Sequence, residues 1–231
     1  MARPIAPRPY APSLPKKTAP FGACDSHAHM LAGPKDFPLW QGRGESPDPE
    51  MSFEGWLSQY KSHLQNLGCT RGVLVHSIFY GSDNSVTVEA VRRLGHNFRG
   101  IGLLRDGASE GAVKQFAGWR MVGVRLNYVH GGFLSWQGAK EMAPILADHG
   151  LHIQMLMHAH IHIKEIFESI SRLPVPVCFD HIGWPDLKLG PMHEGIECLC
   201  RLLASGKVWV KLSALYRLAD KPYHETDEVV A

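Results

Sequence analysis

Two histidines spaced two residues apart are the best candidates for chemistry in this sequence. His27 and His29 stand at the end of an apolar stretch, residues 21–30, that reads as a short buried β-strand. Side chains at i and i+2 of a strand project to the same side. Two adjacent imidazoles can bind a divalent metal ion, or polarise a carbonyl and hold an anionic substrate. Asp25 falls on the same side and can orient an imidazole as a hydrogen-bond acceptor.

Polar side chains also follow the other predicted strands. They are His76 and Ser77, Arg105, Arg125 and Asn127, His158, Asp180 and His181, and Lys211 and Ser213. A guanidinium pairs with a carboxylate in a bidentate geometry that lysine cannot copy. Arg125, at an otherwise apolar strand end, therefore predicts a carboxylate clamp, and half of an internal ion pair is the alternative.

Other candidates carry open alternatives. His158, His160 and His162 alternate as an extension of a strand would, so one of them is a candidate metal ligand. Lys211 and Tyr216 are candidate hydrogen-bond donors, and for Lys211 a neighbouring carboxylate partner is an equal alternative.

The sequence around these residues alternates between short apolar stretches, which predict strands, and amphipathic stretches, which predict helices. Seven short apolar strands are predicted at 21–30, 72–77, 100–104, 121–127, 152–158, 175–181 and 208–213. Six amphipathic helices are predicted at 53–67, 84–95, 109–117, 136–149, 163–172 and 193–205, and residues 224–228 open a seventh. This alternation is typical of an all-parallel sheet whose strands are covered by helices.

The polar strand ends favour a (β/α)8 TIM barrel, which gathers the carboxyl ends of its strands around one mouth. An open doubly wound sheet is the alternative, but no G-x-G-x-x-G follows the first strand. A barrel typically needs about 250 residues. We therefore expect an incomplete barrel at 21–231, with the eighth strand and the last helix missing. A Pro-rich arm, residues 1–20, precedes it; we expect the arm to be mobile, and a docked strap is the alternative.

Composition excludes several classes of protein. The 231 residues carry a formal charge of +2 without a Lys/Arg run, which argues against a nucleic-acid surface. No 18-residue apolar run and no signal-peptide core are present, which argues against a membrane partner. Five cysteines without C-x-x-C spacing predict reduced thiols in a cytoplasmic protein. The oligomeric state stays open.

Four motifs together resemble one family. Residues 25–29 and 179–183 look like the amidohydrolase superfamily, and residues 123–127 and 208–217 narrow the resemblance to the amidohydrolase-related branch that includes 2-pyrone-4,6-dicarboxylate lactonase. The resemblance runs from about residue 21 to the C-terminus.

The resemblance implies a hydrolase of small carboxylated lactones or related cyclic esters, often without a tightly bound metal. By this resemblance His27, His29 and His181 are catalytic and contact the reacting carbonyl or the ring. Arg125 and Arg217 would pair with substrate carboxylates, although a solvated surface arginine is an alternative for Arg217. The remaining expected substrate-binding residues are Asn127, Lys211 and Tyr216.

Two alternatives remain. One is a zinc-dependent amidohydrolase or decarboxylase of small carboxylic acids, with His27, His29 and His158 as ligands. Arg125 stands where two-metal relatives commonly place a bridging lysine, which argues against a two-metal site. The other alternative is a non-catalytic fragment, because the family's strand-eight aspartate, which activates water, would lie beyond Ala231.

Overall fold

Strands and helices alternate as predicted in the computed structural model, which describes residues 3–6 and 8–218. The strands are β1 (Cys24–Ala28), β2 (Arg71–Val75), β3 (Phe98–Gly102), β4 (Met121–Asn127), β5 (His152–Leu156), β6 (Val177–Phe179) and β7 (Val208–Val210). The helices are α1 (Phe53–Leu67), α2 (Ser85–Leu94), α3 (Glu110–Gly118), α4 (Trp136–Asp148), α5 (Ala159–Arg172) and α6 (Glu194–Ala204).

The strand order confirms the predicted fold class. The strands follow one another in the order of the chain, β1 to β7, and the pairs β1–β2, β2–β3, β4–β5, β5–β6 and β6–β7 are parallel. This is the α/β order of a (β/α)8 barrel with seven of its strands. The helix predicted to open at 224–228 lies outside the described residues.

The chain divides into two compact units that share elements. One comprises Met1–Leu104 and Lys114–Val122, and the other comprises Arg105–Val113 and Gly123–Ala231. Both α3 and β4 are therefore divided between the units. In the first unit, Leu74 of β2 belongs to a buried cluster with Trp56 and Leu57 of α1 and Val86 of α2.

Helix α1 shows why local sequence fixes an element. The Ser52 hydroxyl accepts a hydrogen bond from the Gly55 amide at its start, and Gly68 ends it in the left-handed conformation at φ 76°. Phe53, Trp56, Leu57 and Leu64 recur on one face and are buried. The helix begins and ends at the predicted residues.

Two predictions about element ends were wrong. Helix α5 begins at Ala159, so His160 and His162 lie in its first turn and do not extend β5. Strand β6 ends at Phe179, and the chain turns sharply through His181 and Ile182, with φ of 55° and 60°. Regular strand geometry therefore does not decide the directions of the side chains in these two segments.

The N-terminal arm is docked along the first unit, which is the alternative to a mobile arm. The Ala6 amide donates to Ser46 O at 2.8 Å, and the Gln59 side chain of α1 donates to the carbonyls of Pro9 and Tyr10 at 2.8 and 2.9 Å. The Asn66 side chain donates to Pro12 O at 2.9 Å. The backbone of the arm thus finds its partners in the loop after β1 and in α1.

None of the helices among the described residues is long and apolar enough to cross a membrane.

Candidate active site

The imidazole pair lies at the end of β1, in the first unit. The rings of His27 and His29 are perpendicular, with centroids 5.1 Å apart. His29 Nδ1 lies 2.7 Å from Val75 O at the end of β2. Because a carbonyl only accepts, Nδ1 carries the proton, and Nε2 is the basic nitrogen of this ring.

Asp25 holds the backbone of this pair. Its Oδ1 accepts from the His27 amide at 3.2 Å, and its Oδ2 accepts from the Tyr60 hydroxyl of α1 at 3.1 Å. We expected Asp25 to orient an imidazole; these two hydrogen bonds connect it to a main-chain amide and to a helix. Sequence reasoning missed Tyr60, because a tyrosine within an amphipathic helix gives no signal of a polar contact.

A cavity of about 310 Å³ adjoins the pair. It is lined by the arm, the end of β1 and the adjoining face of α1, which contributes Trp56, Gln59, Tyr60 and His63. Its volume and its mixture of aromatic rings and imidazoles suit a small molecule.

His76 is a structural histidine at the end of β2. It is fully buried, with Nδ1 3.0 Å from Thr87 Oγ1 and Nε2 3.0 Å from Gly81 O. Both ring nitrogens thus have local partners, and the strand-end position alone does not indicate a site.

A second polar group joins the ends of β5, β6 and β7 in the second unit. Lys211 Nζ donates to Gln154 Oε1 at 2.6 Å, and Gln154 Nε2 donates to Asp180 Oδ2 at 3.2 Å. Lys211 Nζ also lies 3.9 Å from Asp180 Oδ1; the side chains of Lys211 and Asp180 are 9% and 0% exposed. Lys211 therefore has the neighbouring carboxylate that the sequence left as an equal alternative. Gln154 was missed, although a glutamine within an apolar strand was a usable signal.

Arg125 belongs to the same group. It lies on β4 in register with Gln154 of β5. Burial lowers the pKa of its guanidinium, and the Asp180 carboxylate acts in the opposite direction. An arginine remains charged in such surroundings. Arg125 and Lys211 thus place two cationic groups around one fully buried carboxylate.

His181 is fixed by contacts on both of its sides. Its Nδ1 lies 2.9 Å from Ser213 Oγ, and the following amide, Ile182 N, donates to Lys211 O at 3.0 Å. The Trp184 ring lies 6.4 Å from His181 and 4.9 Å from His158. The Arg217 guanidinium lies 5.5 Å from the centre of the same ring. His181 and Arg217, both predicted from the motifs, are therefore brought together by Trp184.

The three histidines at the start of α5 make hydrogen bonds with main-chain groups. His158 Nδ1 lies 3.2 Å from Trp184 O, so it donates to that carbonyl. His162 Nδ1 accepts from the His158 amide at 3.2 Å, and His160 Nδ1 accepts from the Asp186 amide at 3.0 Å. Burial and the neighbouring His158 lower the pKa of His160, which favours the neutral ring that can accept. These contacts support structural roles for His160 and His162.

Asn127 and Tyr216 are the two remaining predicted site residues. Asn127 Oδ1 accepts from the His130 amide at 3.0 Å and so closes the turn after β4. The Tyr216 ring centre lies 5.9 Å from the Arg217 guanidinium. Their roles in substrate binding stay predictions.

A metal centre finds little support in the described part of the chain. Within residues 3–6 and 8–218, no three His, Cys, Asp or Glu side chains are grouped so that they could hold one ion. We therefore derive no step through a metal, and the ligand set His27, His29 and His158 stays a prediction.

Curated relatives agree with the branch that the motifs resemble. The chain is 28% identical over 211 residues to a 2-pyrone-4,6-dicarboxylate hydrolase of Comamonas testosteroni, covering 90% of this chain and 67% of the relative. It is 27% identical over 207 residues to a 4-sulfomuconolactone hydrolase of Hydrogenophaga intermedia, covering 87% and 65%. The chain thus spans about two thirds of the length of these relatives.

Solved structures agree with the fold. A probable 2-pyrone-4,6-dicarboxylic acid hydrolase of Acinetobacter baumannii, with citric acid bound, matches with a TM-score of 0.74 and 21% identity over 86% of this chain and 73% of that one. An amidohydrolase of Burkholderia multivorans with bound zinc matches with a TM-score of 0.60 and 16% identity over 85% and 71%.

The model of the Amidohydrolase family matches residues 24–231, which includes every strand and helix described above. The predicted family and its lactonase-like branch are confirmed. By this match, the chain belongs to the amidohydrolase family.

Proposed function

We propose that this chain hydrolyses a small lactone, or a related cyclic ester, that carries carboxylate groups. The names of the curated relatives support the reaction class. The observation that carries the substrate class is the cationic group of the second unit, in which Arg125 and Lys211 surround the buried Asp180. A guanidinium beside an ammonium group suits a carboxylated ring, because charge-assisted hydrogen bonds gain strength in a partly dry environment.

The reaction needs hydrogen-bond donors at the carbonyl oxygen, where negative charge develops. Water adds to the lactone carbonyl, the ring C–O bond then breaks, and the leaving oxygen takes a proton to give the open-chain acid. We assign stabilisation of the developing oxyanion to imidazole N–H groups, the kind of preorganised donor that contributes most to such reactions. His181, held through Nδ1 by Ser213, is the candidate donor of the second unit. His27 is the candidate donor of the first unit, beside His29, whose Nδ1 proton is already donated to Val75 O.

The test is an assay of the hydrolysis of 2-pyrone-4,6-dicarboxylate. The reaction is measured as the loss of the ultraviolet absorbance of this compound. Its dimethyl ester serves as a neutral substrate of the same ring. We expect the dicarboxylate to be opened with a much higher kcat/KM than the diester, and R125M to reduce this preference. Equal rates for the two compounds would contradict carboxylate recognition, and no hydrolysis of either would contradict the proposed reaction.

The same assay tests the metal-dependent alternative. In that alternative zinc is bound by His27 and His29 together with His158. Activity that is lost with EDTA and restored by zinc would support it, and activity that is unchanged by EDTA would support the metal-free reaction.

We further propose a cytoplasmic location and a small carboxylated molecule as the partner. All five cysteines are free thiols, which agrees with a reducing compartment.

A further inference from the structure

Strand β1 is irregular at His27. Cys24 and Asp25 pair with Arg71 and Gly72 of β2, but the next paired residue is Ala28, opposite Leu74. Three steps along β1 therefore match two steps along β2, which is the signature of a bulge. A bulge redirects side chains and takes a main-chain amide out of the ladder.

Asp25 supplies an acceptor at this bulge. Its Oδ1 accepts from the His27 amide at 3.2 Å, so the carboxylate fixes the residue that the bulge displaces. Buried main-chain amides require such a partner. The carboxylate bridges the irregular segment and ties it to the last regular residue of the strand.

Tyr60 in turn fixes the carboxylate. Its hydroxyl donates to Asp25 Oδ2 at 3.1 Å. Burial, together with the Asp25 carboxylate, raises the pKa of this phenol, so it stays a hydrogen-bond donor. Gly72 leaves the space that the phenol occupies, since a Cβ at this position would lie 2.7 Å from the Tyr60 hydroxyl. The hydrogen bond between Tyr60 and Asp25 thus depends on three elements: α1 supplies the donor, β1 the acceptor and β2 the space.

We propose that Tyr60 and Asp25 form a clamp that sets the position of His27, and with it the geometry of the His27–His29 pair. They are positioning residues, and this inference rests on the proposed function. The clamp acts on the main chain, so its loss moves the imidazole without removing it. Misplaced catalytic groups lower kcat steeply, whereas neither residue of the clamp is proposed to bind the carboxylates of the substrate.

The kinetic test compares Y60F, D25N and the double variant. D25N keeps one acceptor oxygen for two donors, so each single change breaks one link of the clamp. We expect each to lower kcat about tenfold, with KM changed less than twofold, and the double variant to be no slower than the slower single variant.

The matched control is Y80F. Tyr80 is also a buried phenol of the first unit, and its hydroxyl bonds both the amide and the carbonyl of Ala32, at 2.6 and 2.8 Å. Y80F therefore loses at least as many hydrogen bonds as Y60F without touching Asp25. We expect it to lower the melting temperature and to leave kcat within twofold of the wild type.

A second measurement does not depend on activity. In ¹⁵N-labelled protein we expect Y60F to shift the His27 amide resonance and the imidazole resonances of His27 and His29, and Y80F to leave all of them in place. Unmoved imidazole resonances in Y60F, a wild-type kcat, or additive losses in the double variant would overturn the clamp. If the wild type opens no lactone, the proposed function fails, while the resonances still decide the clamp.

Discussion

Arg125 and Lys211 differ in what their positive charges can do. Lys211 donates a hydrogen bond to Gln154 and lies near Asp180. Arg125 carries five N–H donors in a rigid planar fork, which matches the two oxygens of a carboxylate. At the scale of the residue, we therefore expect Arg125 to bind a carboxylate of the substrate and Lys211 to hold Gln154 and Asp180 in place.

The shape of the guanidinium is tested by R125K. The charge remains but the bidentate geometry is lost, so we expect KM for a dicarboxylated lactone to rise about tenfold with a smaller change in kcat. R201K, which alters an arginine stacked on Phe167 in the second unit, is the control and should keep KM. A wild-type KM in R125K would show that the guanidinium does not pair with a carboxylate of the substrate.

The thiols provide a prediction about pH. Burial raises the pKa of Cys178 to about 11, so at pH 8 only about one thiol in a thousand is the reactive thiolate. We expect iodoacetamide to modify the exposed Cys200 much faster than Cys178, as measured by mass spectrometry of peptides. The rate for Cys178 should rise steadily as the pH approaches 11, and rapid labelling at pH 8 would contradict the raised pKa of this half-buried thiol.

At the scale of the element, α4 depends on one glycine. A Cβ at Gly138 would lie 1.9 Å from Asp106 Oδ1, the atom that accepts from the Ser135 amide at the start of this helix. The loop before α3 and the first turn of α4 therefore approach each other at a distance that only glycine permits.

We expect G138A to lower the free energy of unfolding by about 2 kcal/mol, because the added methyl group displaces Asp106 and leaves the Ser135 amide without its acceptor. Urea denaturation followed by circular dichroism measures this loss. G111A is the matched control: a Cβ there meets only Ser109 Oγ at 3.9 Å, so alanine should stabilise α3 by about 0.5–1 kcal/mol. Equal effects of the two variants would contradict the close approach.

Elements with clear end signals could be predicted from the sequence, and the contacts between elements could not. Ser52 and Gly68 mark α1 because capping is a local interaction. The start of α5 escaped prediction, since its N-cap residue, His158, makes no side-chain capping hydrogen bond. Its amide donates instead to His162 Nδ1, in a segment whose periodicity suggested a strand.

The candidate site divides in the same way. The HxH pair and Arg125 stand out because polar residues are unusual at apolar strand ends. Tyr60, by contrast, meets Asp25 only when α1 has packed on β1, a contact over 35 positions of the chain. Residue type and spacing can be read from a short stretch of sequence, whereas a packing contact between distant residues cannot.

At the scale of the whole molecule, the chain passes repeatedly between its two units. Residues 105–113 belong to the second unit and 114–122 return to the first, so α3 and β4 each contribute to both. Unfolding of one unit must therefore disrupt elements to which the other unit also contributes.

We expect the two units to unfold together. The Gly100 amide bonds Arg120 O in the first unit, and the Ile153 amide bonds Pro176 O in the second, both at 3.1 Å. Native-state hydrogen exchange should give these two amides the same opening free energy, because both exchange only when the whole chain unfolds. Values that differ by more than about 1 kcal/mol would show that the units open independently.

The passage of residues 114–122 back into the first unit also bears on how such a protein changes over generations. Neither unit corresponds to a continuous stretch of gene. A single crossover with a related gene therefore replaces part of at least one unit, wherever it falls. A crossover between positions 100 and 121 separates Gly100 from Met121, whose sulfur occupies the space that a Cβ at position 100 would need.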